Sequence, residues 1–173
     1  MNYHNILHDD MRNGDGLRVI LFVSGCNHQC KECQNPQTWD CKSGIPFDED
    51  SMKEILNELK NDYIDGITFS GGDPLHESNV RTVFDICQEV RHLYPEKTIW
   101  VYTGYKWEEV MCTPNRNDIN VTRQNIVFIS DVLVDGKFDE NRKDVNYHWA
   151  GSSNQRIIDI KKSLEEWPKV VCR

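Results

Sequence analysis

Three cysteines, Cys26, Cys30 and Cys33, stand in a Cys-x3-Cys-x2-Cys array directly after the apolar run Val19-Ile20-Leu21-Phe22-Val23. This juxtaposition constrains the chain more than any other stretch. Leu17 to Val23 is rich in β-branched residues and nearly continuous in hydrophobicity, the pattern of a strand buried on both faces. The thiols therefore fall on the loop at its carboxyl end, the edge where α/β proteins collect ligands and catalytic groups. Sulfur ligands packed this tightly can wrap one metal centre without help from the rest of the chain.

Composition narrows the compartment and the partners. Seven cysteines is an odd count, whereas a secreted disulfide scaffold more often shows an even one behind a signal peptide. The start, Met1-Asn2-Tyr3-His4-Asn5, has no basic or apolar leader segment, and no apolar run approaches the roughly 20 residues of a membrane span. These features predict a cytoplasmic chain whose clustered thiols are metal ligands. At 173 residues, 38% hydrophobic and 28% charged, it is expected to form one globular domain over 1–173. Twenty Lys and Arg against 28 Asp and Glu leave a net charge of −8, which argues against nucleic-acid backbones and acidic membranes as partners.

Strand and helix patterns then alternate. Residues 1–16 are polar, and Asn13-Gly14-Asp15-Gly16 reads as a turn entering the first strand. It is not a calcium loop, since Gly16 at loop position six would put Met11 and Phe22 where hard-cation ligands belong. Asp48-Glu49-Asp50 supplies acids for a first helical turn, with Met52, Ile55, Leu56 and Leu59 following at helical spacing. Asp65–Phe69 is a second strand, ending in Ser70-Gly71-Gly72-Asp73-Pro74. A helix from about Glu77 to Tyr94 stops at Pro95. Thr98–Tyr102 is a third strand, and Lys106–Met111 a short helix. Residues 113–125 read as a surface loop, Asn125–Ile129 and Val132–Val134 as a fourth apolar run closed by Asp135-Gly136, and Ile157–Ile160 as an apolar stretch before a charged end. The alternation predicts an α/β fold with a mostly parallel sheet. Too few βα units are visible for a closed eight-fold barrel, so the sheet is expected to be open or partial.

Soft thiolates select zinc or iron–sulfur clusters. For zinc, His28 could complete a Cys3His set, at a spacing unlike the usual paired knuckles. For a four-iron cluster, three cysteines leave one iron without a protein ligand, open to a substrate group that can take an electron. Gly71-Gly72 closes a strand before a helix, where backbone can approach a ligand closely. No Gly-Lys-Ser/Thr follows, so it is not a phosphate loop; alone, Gly-Gly-Asp-Pro also reads as a tight turn with proline starting the helix. Its place at the same sheet edge as the cysteines favours a ligand. Cys87 reads as a small core residue. Cys41, Cys112 and Cys172 fall in connectors or the terminus, Asp131 and Asp135 read as turn residues, and His4 and His8 as solvated. No Ser/His/Asp set is present, so no catalytic acid–base residue is expected.

Together, Cys-x3-Cys-x2-Cys and the later Gly-Gly-Asp-Pro turn resemble the radical S-adenosylmethionine enzymes. The segments Cys26 to Cys30, Asn35 to Trp39, Ser70 to Leu75, Trp100 to Tyr105, Val132 to Phe138 and Gly151 to Gln155 are similar, over nearly the whole chain, to one family among them, the activating proteins of anaerobic ribonucleoside-triphosphate reductase. The resemblance implies a partial, open βα barrel. It implies a 4Fe–4S cluster on Cys26, Cys30 and Cys33, with S-adenosylmethionine held at Gly71 and Gly72 on its methionine side and along Glu32, Cys33 and Gln34 on its adenosyl side. It further implies reductive cleavage of that molecule to leave a glycyl radical on the large reductase chain, with electrons from a donor such as flavodoxin. Two positions depart from the pattern: Gln34 stands where an aromatic residue usually follows the third cysteine, and Ala150 where arginine often precedes Gly151. Three other readings stay open at this point: an activase of another glycyl-radical enzyme of the formate-lyase type, a small-molecule radical S-adenosylmethionine synthase, and a non-enzymatic zinc-binding interaction module. Trp39, Trp107 and Trp149 are candidates for docking a protein partner, though each reads first as a core or packing residue.

Overall fold

The computed structural model describes residues 1–173, built round one seven-stranded sheet. In chain order its strands are β1 (Asn2–Asp10), β2 (Arg18–Val23), β3 (Ile45–Pro46), β4 (Gly66–Gly71), β5 (Thr98–Tyr102), β6 (Val132–Asp135) and β7 (Arg156–Asp159). They lie side by side as β3-β1-β2-β4-β5-β6-β7. β2, β4, β5 and β6 are mutually parallel, while the pairings at both margins are antiparallel. β3 and β7 do not pair, so the sheet is open, as expected of an α/β chain with too few units to close. Val19, Ile20, Leu21 and Val23 are fully buried, which is the two-faced burial their continuous hydrophobicity predicts.

Helices α1 (Glu49–Leu59), α2 (Val80–Leu93), α3 (Trp107–Met111), α4 (Asp118–Ile129) and α5 (Ile160–Glu165) join the strands or follow them. α1 starts at a capping box: Asp48 accepts from the Ser51 amide at 2.9 Å, and Ser51 Oγ turns back to the Asp48 amide. Alternation along the strands separates two clusters. Leu21, Phe69, Ile99, Val101 and Leu133 face the helices and pack with Ile55, Val83, Ile86 and Ile126. Trp100, Val132, Val134 and Ile157 form a second, smaller cluster on other side chains of the same strands. Each fully buried aliphatic side chain in these layers contributes about 1.5–3 kcal/mol.

Arg18, fully buried at the amino end of β2, ties three strands together. Its five N–H groups donate to Thr68 Oγ1 (2.7 Å), Asp15 O (3.0 Å), Thr98 Oγ1 (2.8 Å), Ile67 O (2.8 Å) and Thr98 O (2.9 Å). The guanidinium carbon lies 5.3 Å from the Trp100 ring centroid. Burial lowers its pKa to about 10, because every direct acceptor is neutral.

Three elements differ from the sequence expectation. The polar start is not only a turn: Asn2–Asp10 forms β1, which buries Tyr3, Ile6 and Asp10 and owes its existence to pairing with β2. The segment expected as loop and then strand is α4, opened by Asn117, whose side chain accepts from the Asn120 amide at 2.9 Å. Its first turns are polar, so the helical spacing of Ile119, Ile126 and Val127 is faint, and a short apolar run does not by itself separate strand from helix. α2 begins at Val80 rather than Glu77, because Asp73 to Asn79 makes hydrogen-bonded turns first.

Candidate metal centre

At the end of β2 the chain bends through Gly25 (φ +104°) into the cysteine loop. A single 3-10 turn, Pro36–Thr38, returns to strap the loop's base. The Gly25 amide donates to Thr38 O at 2.7 Å and the Cys26 amide to Trp39 O at 3.0 Å. Two non-glycine residues inside the loop, Gln29 (φ +47°) and Glu32 (φ +55°), take the left-handed conformation, a local cost that surrounding contacts must hold. Cys26, Cys30 and Cys33 are half-buried and free of disulfides. Burial pushes the Cys26 thiol up to about 11, against the opposing amides of His28 and Gln29. Burial also raises Cys30, partly offset by the Phe138 amide. A bound metal removes that penalty, since the thiolate is the ligand form. The loop's outer side meets the segment after β6, where Lys31 forms an ion pair with Glu140.

β4 pairs with β2 in a register that sets Gly71 beside Val23. The Gly-Gly turn therefore starts one rung from the cysteine loop. Gly71 has φ +98°, and a Cβ there would lie 2.8 Å from the Phe22 backbone. The Gly72 amide donates to Val23 O and the Asp73 amide to Gly25 O, both at 2.8 Å.

Asp73 is buried and its carboxylate is surrounded by donors. Oδ1 accepts from the Leu75 amide at 2.8 Å and Thr103 Oγ1 at 2.9 Å. Oδ2 accepts from the Gly104 amide at 2.9 Å and from His28 Nε2 at 2.7 Å. His28, read from the sequence as a candidate zinc ligand, bonds this carboxylate through Nε2. Its ring also meets the Tyr105 ring edge-on, with centroids 4.7 Å apart.

These loops open into one cavity of about 950 Å³. Cys26, Cys30, Cys33, Gln34, Gly71 and Gly72 all line it, so six of the seven residues proposed from sequence come together. Glu32 does not: it is exposed and lies outside the lining. Ala150 lines the cavity too, so the second departure from the family pattern falls on its wall. No three His, Cys, Asp or Glu side chains converge on a single-ion site; the three thiols share the cavity wall.

Sequence reasoning missed Thr103 and Gly104, whose signal was a Thr-Gly pair directly after β5 at this same sheet edge. It also read Asp135 only as a turn residue. Trp107 is 1% exposed and sits in the main core, the packing role it was first read for, while Trp39 and Trp149 line the cavity. Asp135 is buried, accepting from the Trp107 amide at 2.7 Å and from Arg156 Nε at 3.0 Å, because a carboxylate there satisfies an α3 amide and a cation at once. Asp131 accepts from the Ile99 amide at 2.7 Å and pairs with Arg91. Cys87 is a buried core residue as expected, and Cys41, Cys112 and Cys172 are exposed.

Comparison with known proteins agrees with this geometry. The 4Fe-4S single cluster domain family matches residues 12–158. A protein of Escherichia coli (strain K12) is 44% identical over 163 residues, covering 93% of this chain and 100% of its own length. One of Haemophilus influenzae is 42% identical over 163 residues, covering 93% and 99%. One of Enterobacteria phage T4 is 38% identical over 157 residues, covering 91% and 93%. All three carry the same name. On identity and coverage alike, the chain belongs to the family of anaerobic ribonucleoside-triphosphate reductase-activating proteins.

Proposed function

We propose that this chain, acting as one domain over 1–173, activates anaerobic ribonucleoside-triphosphate reductase by leaving a glycyl radical on it, using a 4Fe–4S cluster and S-adenosylmethionine. The observation that carries this reading is the meeting of three thiols and the Gly-Gly turn in one cavity. Family membership supports the partner, and the open sheet is compatible with a partial barrel of the radical S-adenosylmethionine type.

The donor set fits the cluster: three half-buried thiols with no fourth cysteine beside them on the loop. Cys26, Cys30 and Cys33 would hold it, leaving one iron for the cofactor's amino and carboxylate groups. When bound, such a cluster would supply the one-electron reducing chemistry that, with S-adenosylmethionine, gives methionine and the means to take a hydrogen atom from glycine. The chain's own part is placement and shelter. Gly71 and Gly72 bring backbone to the methionine side, while Cys33 and Gln34 line the adenosyl side, with exposed Glu32 contributing at most its main chain. Phe138, Tyr102 and Trp149 give the cavity part of an apolar wall, the kind of surface that helps shelter reactive species from water. No side chain needs to move a proton.

All seven cysteines are free, as the reducing cytoplasm proposed for this chain requires. No helix is long and apolar enough to cross a membrane. A one-electron donor such as flavodoxin completes the proposal. The zinc-module alternative draws less support, because no three His, Cys, Asp or Glu side chains are gathered to hold a single ion.

The test is anaerobic. The chain is reconstituted with iron and sulfide, reduced with S-adenosylmethionine, mixed with the reductase and read by electron paramagnetic resonance. A glycyl doublet on the reductase, with methionine released, is expected. A colourless protein carrying stoichiometric zinc would overturn the reading, and a doublet formed only on another glycyl-radical enzyme would reassign the partner.

A further inference from the structure

We propose that Asp73 and His28 form a positioning pair that fixes the cysteine loop relative to the Gly71-Gly72 turn. This rests on the proposed function, since it concerns how the two halves of that site are held together.

Asp73 sits in the turn one residue after the glycines, yet its carboxylate is spent on the protein. Four groups donate to it: the Leu75 amide, Thr103 Oγ1, the Gly104 amide and His28 Nε2. The first three belong to the turn itself and to the segment after β5, so they fix the carboxylate against the sheet edge. The fourth comes from the middle of the Cys26–Cys30 interval. Asp73 is 1% exposed and therefore acts as scaffold, not as a contact for a small molecule.

Apart from the Cys30 thiol, which the Phe138 amide approaches, two side chains between Cys26 and Cys33 hydrogen-bond outside the loop. Lys31 reaches Glu140 from a side chain 79% exposed, whereas the His28 side chain is 10% exposed. A surface ion pair of the first kind restrains little. A charge-assisted bond to a buried carboxylate is stronger and directional. The ring is also seated sterically: a Cβ on Gly104 would collide with it, so glycine is required there. Its other neighbour, Tyr105, has its hydroxyl bonded by Arg123 Nη2 at 3.0 Å, and Arg123 Nε donates to Leu75 O at 2.7 Å. Those contacts return to the Asp73 turn. The ring's hydrogen-bond acceptor and its aromatic neighbour thus both belong to the sheet edge that carries the glycines.

The loop needs such a tie. Its backbone is fastened at the base, through Gly25 and Cys26, while Gln29 and Glu32 hold left-handed bends further out. Productive sites tolerate misplacements of only about 0.5 Å, and His28 is the one buried side-chain anchor between the first two thiols.

The experiment compares wild type, His28→Ala and His28→Gln after anaerobic reconstitution. Iron and sulfide content, the dissociation constant for S-adenosylmethionine and the change it causes in the reduced cluster's paramagnetic spectrum are measured. His28→Ala is expected to load iron, since the thiols remain, but to bind S-adenosylmethionine roughly 10- to 100-fold more weakly and to lose the spectral change. His28→Gln keeps a side-chain N–H donor and should regain much of both. Wild-type affinity and spectrum in His28→Ala would overturn the pair, as would a glutamine variant no better than alanine. Amide hydrogen exchange over residues 26–35 in the metal-free proteins judges the pair even where a variant fails to load: faster exchange in alanine, recovered in glutamine, supports it, and unchanged exchange overturns it. Wild type that carries a cluster yet shows no response to S-adenosylmethionine would instead sink the cofactor reading, leaving the exchange measurement to decide the pair.

Discussion

The carbonyl oxygen of Gly25 lies 2.6 Å from where a side chain on Gly72 would begin. At this point the cysteine loop and the Gly-Gly turn meet backbone to backbone, and neither can shift toward the other.

Gly72→Ala should force these two segments apart. Overpacking against backbone costs about 1–3 kcal/mol, so urea denaturation should show a lower midpoint with an unchanged slope. Affinity for S-adenosylmethionine should fall more than the iron content does. Gly71→Ala should cost more still, because its φ of +98° is hostile to a side chain as well.

Replacing Cys26, Cys30 or Cys33 singly with alanine should abolish stable cluster loading, read as loss of brown colour and of stoichiometric iron after reconstitution. Cys41→Ala and Cys112→Ala should load like wild type, since both residues are exposed and outside the cavity lining. Loss of cluster in either of those variants would mean that the ligand set is wrong.

Arg18→Lys should destabilise the fold by about 3 kcal/mol or more. A lysine has three donors where five are used, so buried acceptors on Thr68, Ile67 and Thr98 lose partners, each at roughly 1–3 kcal/mol. Arg18 is remote from the thiols and outside the cavity lining. Thermal unfolding should therefore change far more than cluster loading at low temperature.

Glu108 makes a pH-dependent contribution. Hydrogen bonds from Arg156 hold its carboxyl below its ordinary 4.5. A depressed carboxylate stabilises the fold above the unfolded-state value, and that contribution is lost as pH falls through the lower folded value. The Glu108 side chain is 51% exposed, so solvent limits the effect to about 1 kcal/mol or less. Urea denaturation at pH 7 and pH 4 should show a smaller drop in stability for Glu108→Gln than for wild type. An equal drop in both would assign the acid sensitivity to other groups.

The sequence disclosed most where a signal was local. The apolar run at Val19–Val23 announced β2, and three thiols within eight residues announced the loop. It disclosed least where structure depends on residues distant along the chain. β1 is polar in pattern and forms because β2 offers it a ladder. α4 hides its spacing behind polar first turns. The His28–Asp73 bond joins positions 45 apart, and neither residue type announces the other. The Thr103–Gly104 segment joins the site because parallel pairing brings the end of β5 beside the end of β4, which is a property of topology rather than of any short motif.

The pairing of Val23 with Gly71 turns strand register into an address. The thiols' distance from the glycines is counted in whole residues along two adjacent rails, so it can change only in steps. Deleting one residue from Arg18–Val23 would present the loop to the opposite side of the sheet, whereas a compensating deletion in Gly66–Gly71 would bring the two ends level again. The two strands carry their site as a matched pair of lengths, and a variant altered in only one of them would keep every ligand and lose the place where they meet.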